Sequence, residues 1–316
     1  MTQSIALRDD PAWYTPSDLP EELSAFDGSL QGALEVGAAG KVGLLDLALS
    51  RHGGVTRLRR HYQRAPLHLY RPIYLDDGRP DMAFLFLQQS GDGLVQGDRY
   101  RVDIDCGPGS ATHVTTQAAT NVFGARQNFA TQLVNLRVGA GAVLEYMPDA
   151  VVPFRGSRLF QRMCATVDPE ATVIIGETLL PGRVAHEEAH VYDLYWGETE
   201  ARRPDETLLF ADVLRFNPGD GESPSPIGLL GPYDVIAALY VVSRQTDPPD
   251  MVAVLRRALT ACRDVLVGVS ELPNGCGAVV KLLGPSSKTV QATLRTAWNA
   301  ARLELLGTPA PNLRKG

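Results

Sequence analysis

His186-Glu-Glu-Ala-His190 sets two histidines four residues apart with a glutamate beside the first, the H-E-x-x-H spacing of zinc peptidases. On a helix both imidazoles share one face and hold a metal, and the glutamate activates the metal-bound water. That chemistry requires a helix. Here the segment follows Pro181-Gly182 and runs into Val191-Tyr-Asp-Leu-Tyr-Trp-Gly197, an aromatic composition typical of strands. On a strand His186 and His190 lie roughly 13 Å apart, too far to share one ion. The expectation is two exposed histidines at a strand edge. The rival reading is a zinc-dependent hydrolase on His186, Glu187 and His190, with a carboxylate as third ligand because no histidine follows.

Nucleotide and nucleophile patterns begin and then fail. Gly37-Ala-Ala-Gly40-Lys41 ends like a phosphate loop, but position 35 is Glu and Val42 stands where Ser or Thr would hold magnesium. Gly107-Pro-Gly109, Gly139-Ala-Gly141 and Gly275-Cys-Gly277 lack the third glycine of a dinucleotide fingerprint and read as turns. Gly268-Val-Ser270-Glu-Leu272 lacks the closing glycine of a nucleophile elbow. Three polar segments remain. They are Gly93-Leu-Val-Gln-Gly97-Asp98, Thr115-Thr-Gln-Ala-Ala-Thr120, and Leu144-Glu-Tyr-Met-Pro-Asp149 with Val152-Pro-Phe154. Hydroxyls, amides and carboxylates on otherwise apolar strands either satisfy one another or line an internal polar surface.

The elements that position these groups are short and alternate with period two. Leu45, Leu47 and Leu49 share one strand face, as do Tyr100, Val102, Ile104 and Cys106. The pattern returns at Val134, Leu136 and Val138, at Ala142, Leu144 and Tyr146, and at Met163, Ala165 and Val167. Ala83 to Leu87 is a continuous apolar run, a strand covered on both sides. Frequent turn signals between these runs predict a layered or closed β body. Two helices follow near the end. Asp250 caps one carrying Val252, Leu255, Leu259 and Cys262, and the other runs from Ser286 to Leu306 with Gly307 as its stop. Residues 1–31 read as a mobile extension, with Trp13 and Tyr14 as the residues that would dock. Residues 32–316 read as a single β-rich domain, with a surface loop over Asn217 to Pro232.

Of the 316 residues 44% are hydrophobic and 21% charged, enough to bury a core. Net charge is −6 and arginine reads as thinly spread with no basic block, which argues against a nucleic-acid surface. Cys106, Cys164, Cys262 and Cys276 have neither zinc-finger spacing nor disulfide-scaffold density. The start lacks a signal peptide, and the run Val235 to Val242 is far below the ~20 residues that span a bilayer. The expected location is the cytoplasm.

Taken in order, the segments resemble the urease accessory protein UreD family, also called UreH. The resemblance runs from about Gly32 to Leu306. It takes in Arg71-Pro-Ile-Tyr74, the three polar segments, Gly182-Arg183-Val-Ala-His-Glu-Glu188, Gly268-Val-Ser-Glu-Leu-Pro273 and the final helix. The chain departs from the family at Asp92, Asn121 and Glu187 and in its ending, Pro311-Asn-Leu-Arg-Lys-Gly316. The resemblance implies a mainly β, helicoidal stack of strands with two α-helices near the C-terminal end, and no catalysis by the chain itself. It implies binding to urease apoprotein and to UreF, and through UreF to the GTPase UreG, which supplies nickel as GTP is hydrolysed. No cofactor is held tightly; Ni2+ passes transiently, and GTP enters only through UreG. Carboxylates on inward strand positions suit a passing cation. The candidates are Glu145, Asp149, Glu177 and Glu188, with Thr115, Thr116 and Gln117 as polar lining. The alternative is that these carboxylates brace turns and pair with arginines such as Arg155 and Arg183. Replacing Glu188 with Ala is expected to lower urease activation without loss of apoprotein binding. A β-rich interaction module without a urease role is the remaining rival.

Overall fold

Alternating apolar residues build short strands, and consecutive strands along the chain fall into two facing sheets. The architecture is that of a computed structural model describing residues 8, 10–16, 18–24, 26, 40–218 and 230–313. The strands are β1 (Val42–His52), β2 (Val55–Arg64), β3 (Leu67–His68), β4 (Ala83–Gln89), β5 (Arg99–Cys106), β6 (Ala111–Thr116), β7 (Thr120–Val122), β8 (Ala130–Val138) and β9 (Val143–Tyr146). They continue as β10 (Val151–Pro153), β11 (Arg158–Val167), β12 (Thr172–Leu179), β13 (Leu194–Arg202), β14 (Leu208–Phe216), β15 (Val235–Val242), β16 (Leu266–Glu271) and β17 (Gly277–Gly284). The helices are α1 (Glu21–Ser24), α2 (Pro248–Leu259) and α3 (Ser287–Leu306).

From β4 to β13 the chain winds as stacked coils. β5, β8, β11 and β13 pair in parallel in one sheet, while β4, β6, β9 and β12 pair in parallel in the other. Antiparallel strands extend the stack: β2 follows β1 at one end of the first sheet and β14 follows β13 at the other, while β15, β17 and β16 extend the second. The architecture is mainly β, as the sequence implied, with two of its helices near the C-terminus. Ala83, Leu85 and Leu87 face the inter-sheet core while Phe84 packs on the outer side with Met82 and Val143, so this run is covered on both faces.

Each outer face is covered differently. On the second sheet, Val252, Leu255 and Leu259 of α2 and Val290, Leu294, Ala297, Trp298, Ala301 and Leu305 of α3 pack on β15 and β17. Ser286 caps α3, accepting from the Thr289 N–H, and Gly307 closes it at φ +67°. The cap of α2 is Asp247 rather than Asp250, because Pro248 takes the first helical position and moves the start back one turn. On the first sheet, Leu23 of α1 is fully buried against Phe129, Phe160 and Leu194. Tyr14 is fully buried as well, and its carbonyl accepts from Thr131 Oγ1 at 3.1 Å. The boundary expected at residues 31 and 32, part of the phosphate-loop-like segment, most of the 217–232 loop and the last three residues lie outside the described residues.

Candidate functional site

The HEEAH segment is neither helix nor strand. Val184–His186 form one 3-10 turn, Glu187 lies in the left-handed region at φ 59° and His190 at φ 53°. His186 is exposed, but His190 is buried, 2% exposed, beside Tyr192 and Phe216. The expected pair of exposed histidines on a strand is therefore corrected: the turn after Gly182 curls the chain inward and buries the second one. Burial lowers the pKa of His190 against the pull of Asp234. The two imidazoles do not share a helix face, the arrangement a zinc hydrolase requires. Among the described residues no group of three His, Cys, Asp or Glu is placed to hold a metal.

The four candidate carboxylates go to four places. Glu188 is clamped by Arg183 through two bonds of 2.8 and 2.7 Å and accepts from the Arg155 N–H at 3.3 Å. The Arg183 guanidinium holds its carboxyl below the usual range. The Asp149 N–H donates to Thr116 Oγ1 at 2.8 Å, at the exit of β9. Glu145 is fully buried on the outer face of the second sheet, under α3. Its Oε2 lies 2.7 Å from His113 Nδ1 and accepts from Arg302 Nη1 at 3.1 Å, and Arg302 also donates to Asp76. Strand alternation explains that position, since Leu144 and Tyr146 on either side face the inter-sheet core.

Glu177 takes the opposite face. It follows Val173 and Ile175 in the inward register of β12, between the sheets. It accepts hydrogen bonds from Thr199 and, at 3.4 Å, from the Tyr240 hydroxyl, and among the described residues it has no bidentate arginine like that of Glu188. Burial raises its pKa, and only partly do Thr199 and Lys281 offset this. Tyr240 leads outward, donating to Asp212 Oδ2 at 2.6 Å, and the half-exposed Lys281 donates to Tyr240 at 2.8 Å and to Asp212. Burial opposes ionisation of Asp212, but the bonds from Lys281 and Tyr240 outweigh it and keep its carboxyl below the usual range.

At the other side of the stack a cleft of about 350 Å³ opens among the loops before β5 and after β6. Thr116, Gln117, Asn121, Gln132 and Tyr146 line it, together with apolar residues of both sheets. Thr115 does not; it shares the outward face of His113, and its hydroxyl donates to the Met147 carbonyl at 2.6 Å. Behind the cleft, Tyr100, Gln132 and Gln161 sit side by side on three neighbouring parallel strands of the first sheet. Gln161 is 9% exposed, and its Oε1 is buried without a hydrogen-bond partner among the described residues. Tyr146, which lines the cleft, also feels the charge of Glu177. A polar belt thus crosses an otherwise apolar core, from Thr116 and Gln132 by way of Gln161 and Tyr146 to Glu177, Thr199 and Tyr240. Gln132, Gln161, Thr199 and Tyr240 were missed in the sequence. The readable signal was that the inward positions of β8 and β11, followed two residues back from Val134 and Met163, fall on glutamines.

Comparison with known proteins gives a consistent picture. The family model described as UreD urease accessory protein matches residues 41–316. Urease accessory protein UreD 2 of Streptomyces griseus is 40% identical over 292 residues, covering 91% of this chain and 98% of the relative. Urease accessory protein UreD of Haloarcula marismortui is 35% identical, covering 92% and 97%. That of Cenarchaeum symbiosum is 34% identical, covering 90% and 99%.

Proposed function

The chain belongs to the UreD family of urease accessory proteins, and from that premise we propose that it escorts nickel to urease apoprotein along the polar belt between its sheets. The family supports a role in urease assembly. In the finer reading the chain catalyses nothing; it binds urease apoprotein and UreF, and through UreF receives nickel from the GTPase UreG. Nickel is cargo here, and GTP acts only on UreG.

The observation that carries this reading is a carboxylate held between two apolar sheets without a guanidinium to neutralise it. Burying a charge is costly unless a counter-charge meets it. Among the described residues no cation bonds to Glu177; Lys281 acts on it from a distance and bonds instead to Tyr240 and Asp212. A divalent cation beside Glu177 would relieve that cost, while the amides of Gln132 and Gln161 and the hydroxyls of Thr116 and Thr199 supply neutral oxygens. Such ligands bind nickel less firmly than a closed set of imidazoles and thiolates, which suits transit rather than storage. Thr116, Gln117 and Asp149 gather at or beside the cleft, the natural mouth for this route. Glu145 and Glu188 have arginine partners and serve the route by holding its walls.

The test is co-expression of the tagged chain with the urease structural subunits and the other accessory proteins. Retention of apo-urease and UreF, with urease activity lost when the chain is omitted, is the expected result. The Glu177→Gln variant should still retain both partners yet yield urease with less nickel. Normal nickel content in urease matured by that variant would remove the belt from the mechanism.

A further inference from the structure

Between Asp46 and Asp76 the chain carries six arginines and three histidines and not one carboxylate, although its net charge is −6. The expectation of thinly spread arginine fails here, because a count over the whole chain averages away a local excess. The fold places this stretch at one end of the stack. β2 is the last strand of the first sheet, turned back from β1 by Gly53 and Gly54. Their φ angles of 59° and 83° are those of a two-residue hairpin turn that other residues enter with strain.

Arg57, Arg59, Arg60 and His61 are exposed along β2. Arg60 meets Asp46 at 2.8 Å and Arg59 donates to Ser50 Oγ at 3.0 Å. Arg57 and Arg71 meet no carboxylate among the described residues. After β3 the chain folds back beside β2 and is fastened at both ends. Gln63 Oε1 accepts from the Leu69 N–H at 3.1 Å, and the Tyr74 hydroxyl donates to the Thr56 carbonyl at 2.6 Å. Between these ties lie Tyr70, 79% exposed, Arg71 and Ile73, and Tyr74 is itself 44% exposed.

We propose that this end of the stack, β2 with the 69–74 segment beside it, is a docking surface for an acidic face of another protein. Guanidinium forks match carboxylates bidentately, and arginine and tyrosine dominate the residues that carry binding energy at protein interfaces. Charges on an edge strand also keep it from pairing with a foreign sheet, but that role is indifferent to sign. It explains neither the lack of any acid over 29 residues nor the exposed aromatic rings alongside. The surface is separate from the inter-sheet belt. The choice of a protein over a polyphosphate chain rests on the assembly role proposed above.

The experiment repeats the co-expression pull-down with a triple variant, Arg57→Glu, Arg59→Glu and Arg71→Glu. A control of equal charge change on the helical side is Arg257→Glu, Arg263→Glu and Lys288→Glu, and circular dichroism confirms that each variant folds. NaCl is raised from about 50 to about 500 mM, which shrinks the Debye length about threefold. The expected result is that the wild type and the control retain the same urease subunits and accessory proteins. The β2 variant should lose one of them by about tenfold at low salt, and that one should be the most salt-sensitive in the wild type. Equal retention by the β2 variant would overturn the proposal and leave the assembly role standing. Retention of no subunit or accessory protein by the wild type would overturn both. Nucleic acid bound by the wild type and lost only in the β2 variant, with protein retention unchanged, would assign the surface to a polyphosphate partner and overturn the proposal.

Discussion

Two carboxylates on one sheet meet opposite fates. Glu145 and Glu177 lie on neighbouring parallel strands, β9 and β12; Glu145 is fully buried and Glu177 half-buried. Glu145 faces outward under α3, where its Oε2 meets both Arg302 and His113, and Arg302 also bonds to Asp76. Glu177 faces inward, where it meets hydroxyls, and the nearest cation stands beyond Tyr240. An acid that meets its cation within the chain fastens the fold, whereas one that meets hydroxyls alone is pushed towards its neutral form.

The strongest way to break the comparison is to make Glu145 resemble Glu177. Arg302→Met keeps much of the side-chain stem but strands Glu145 and Asp76 without their guanidinium. The expected loss is about 3–5 kcal/mol, read as a lower melting temperature, because a buried charge left unpaired costs far more than the intact pair is worth. A variant that melts with the wild type would mean the network is not what holds α3 to the sheet.

Glu177→Gln should do the reverse. Burial raises the pKa of Glu177 above its ordinary 4.5, so the native chain binds this proton more tightly than the unfolded one. Stability therefore falls as pH rises from the unfolded pKa through the folded one, and the glutamine variant lacks that slope. Denaturant titrations should find the variant more stable than the wild type at pH 8, with the difference closing near pH 4.

Glu188→Ala gives a smaller effect, since its partner Arg183 is partly solvent-exposed. The pKa of Glu188 is depressed, so its contribution is present above the unfolded pKa and is lost as pH falls through the folded one. The gap between variant and wild type should shrink in acid. Urease activation should fall less than with Glu177→Gln, and an equal or greater fall would return Glu188 to the route. The smallest effect belongs to His186→Ala, within about 0.5 kcal/mol for an exposed residue. Treatment with a chelator should leave the melting temperature unchanged, and a marked drop would revive the zinc reading.

Much of the fold was legible because its signals are local. The alternation at Val102, Ile104 and Cys106 or at Met163, Ala165 and Val167 needs only the two-residue period of a strand. The end caps of α3, Ser286 and Gly307, sit beside the helix they close. The belt was half legible. Thr116, Gln117 and Glu177 stood out as polar residues on apolar strands, but Gln132 and Gln161 ended the apparent alternation instead of extending it. Arg57, Arg59 and Arg60 were in plain view, yet the overall acidity concealed them.

By itself the sequence determined the class of structure, the strand and helix faces, and membership in a family, since each is written in neighbouring residues or in ordered segments. Only the tertiary structure decided which carboxylates are neutralised. Arg302 reaches Glu145 from 157 residues away, and Tyr240 reaches Glu177 across 63. Electrostatic free energy depends on distance through space and on the surrounding dielectric, and neither is encoded in the spacing of residues along the chain.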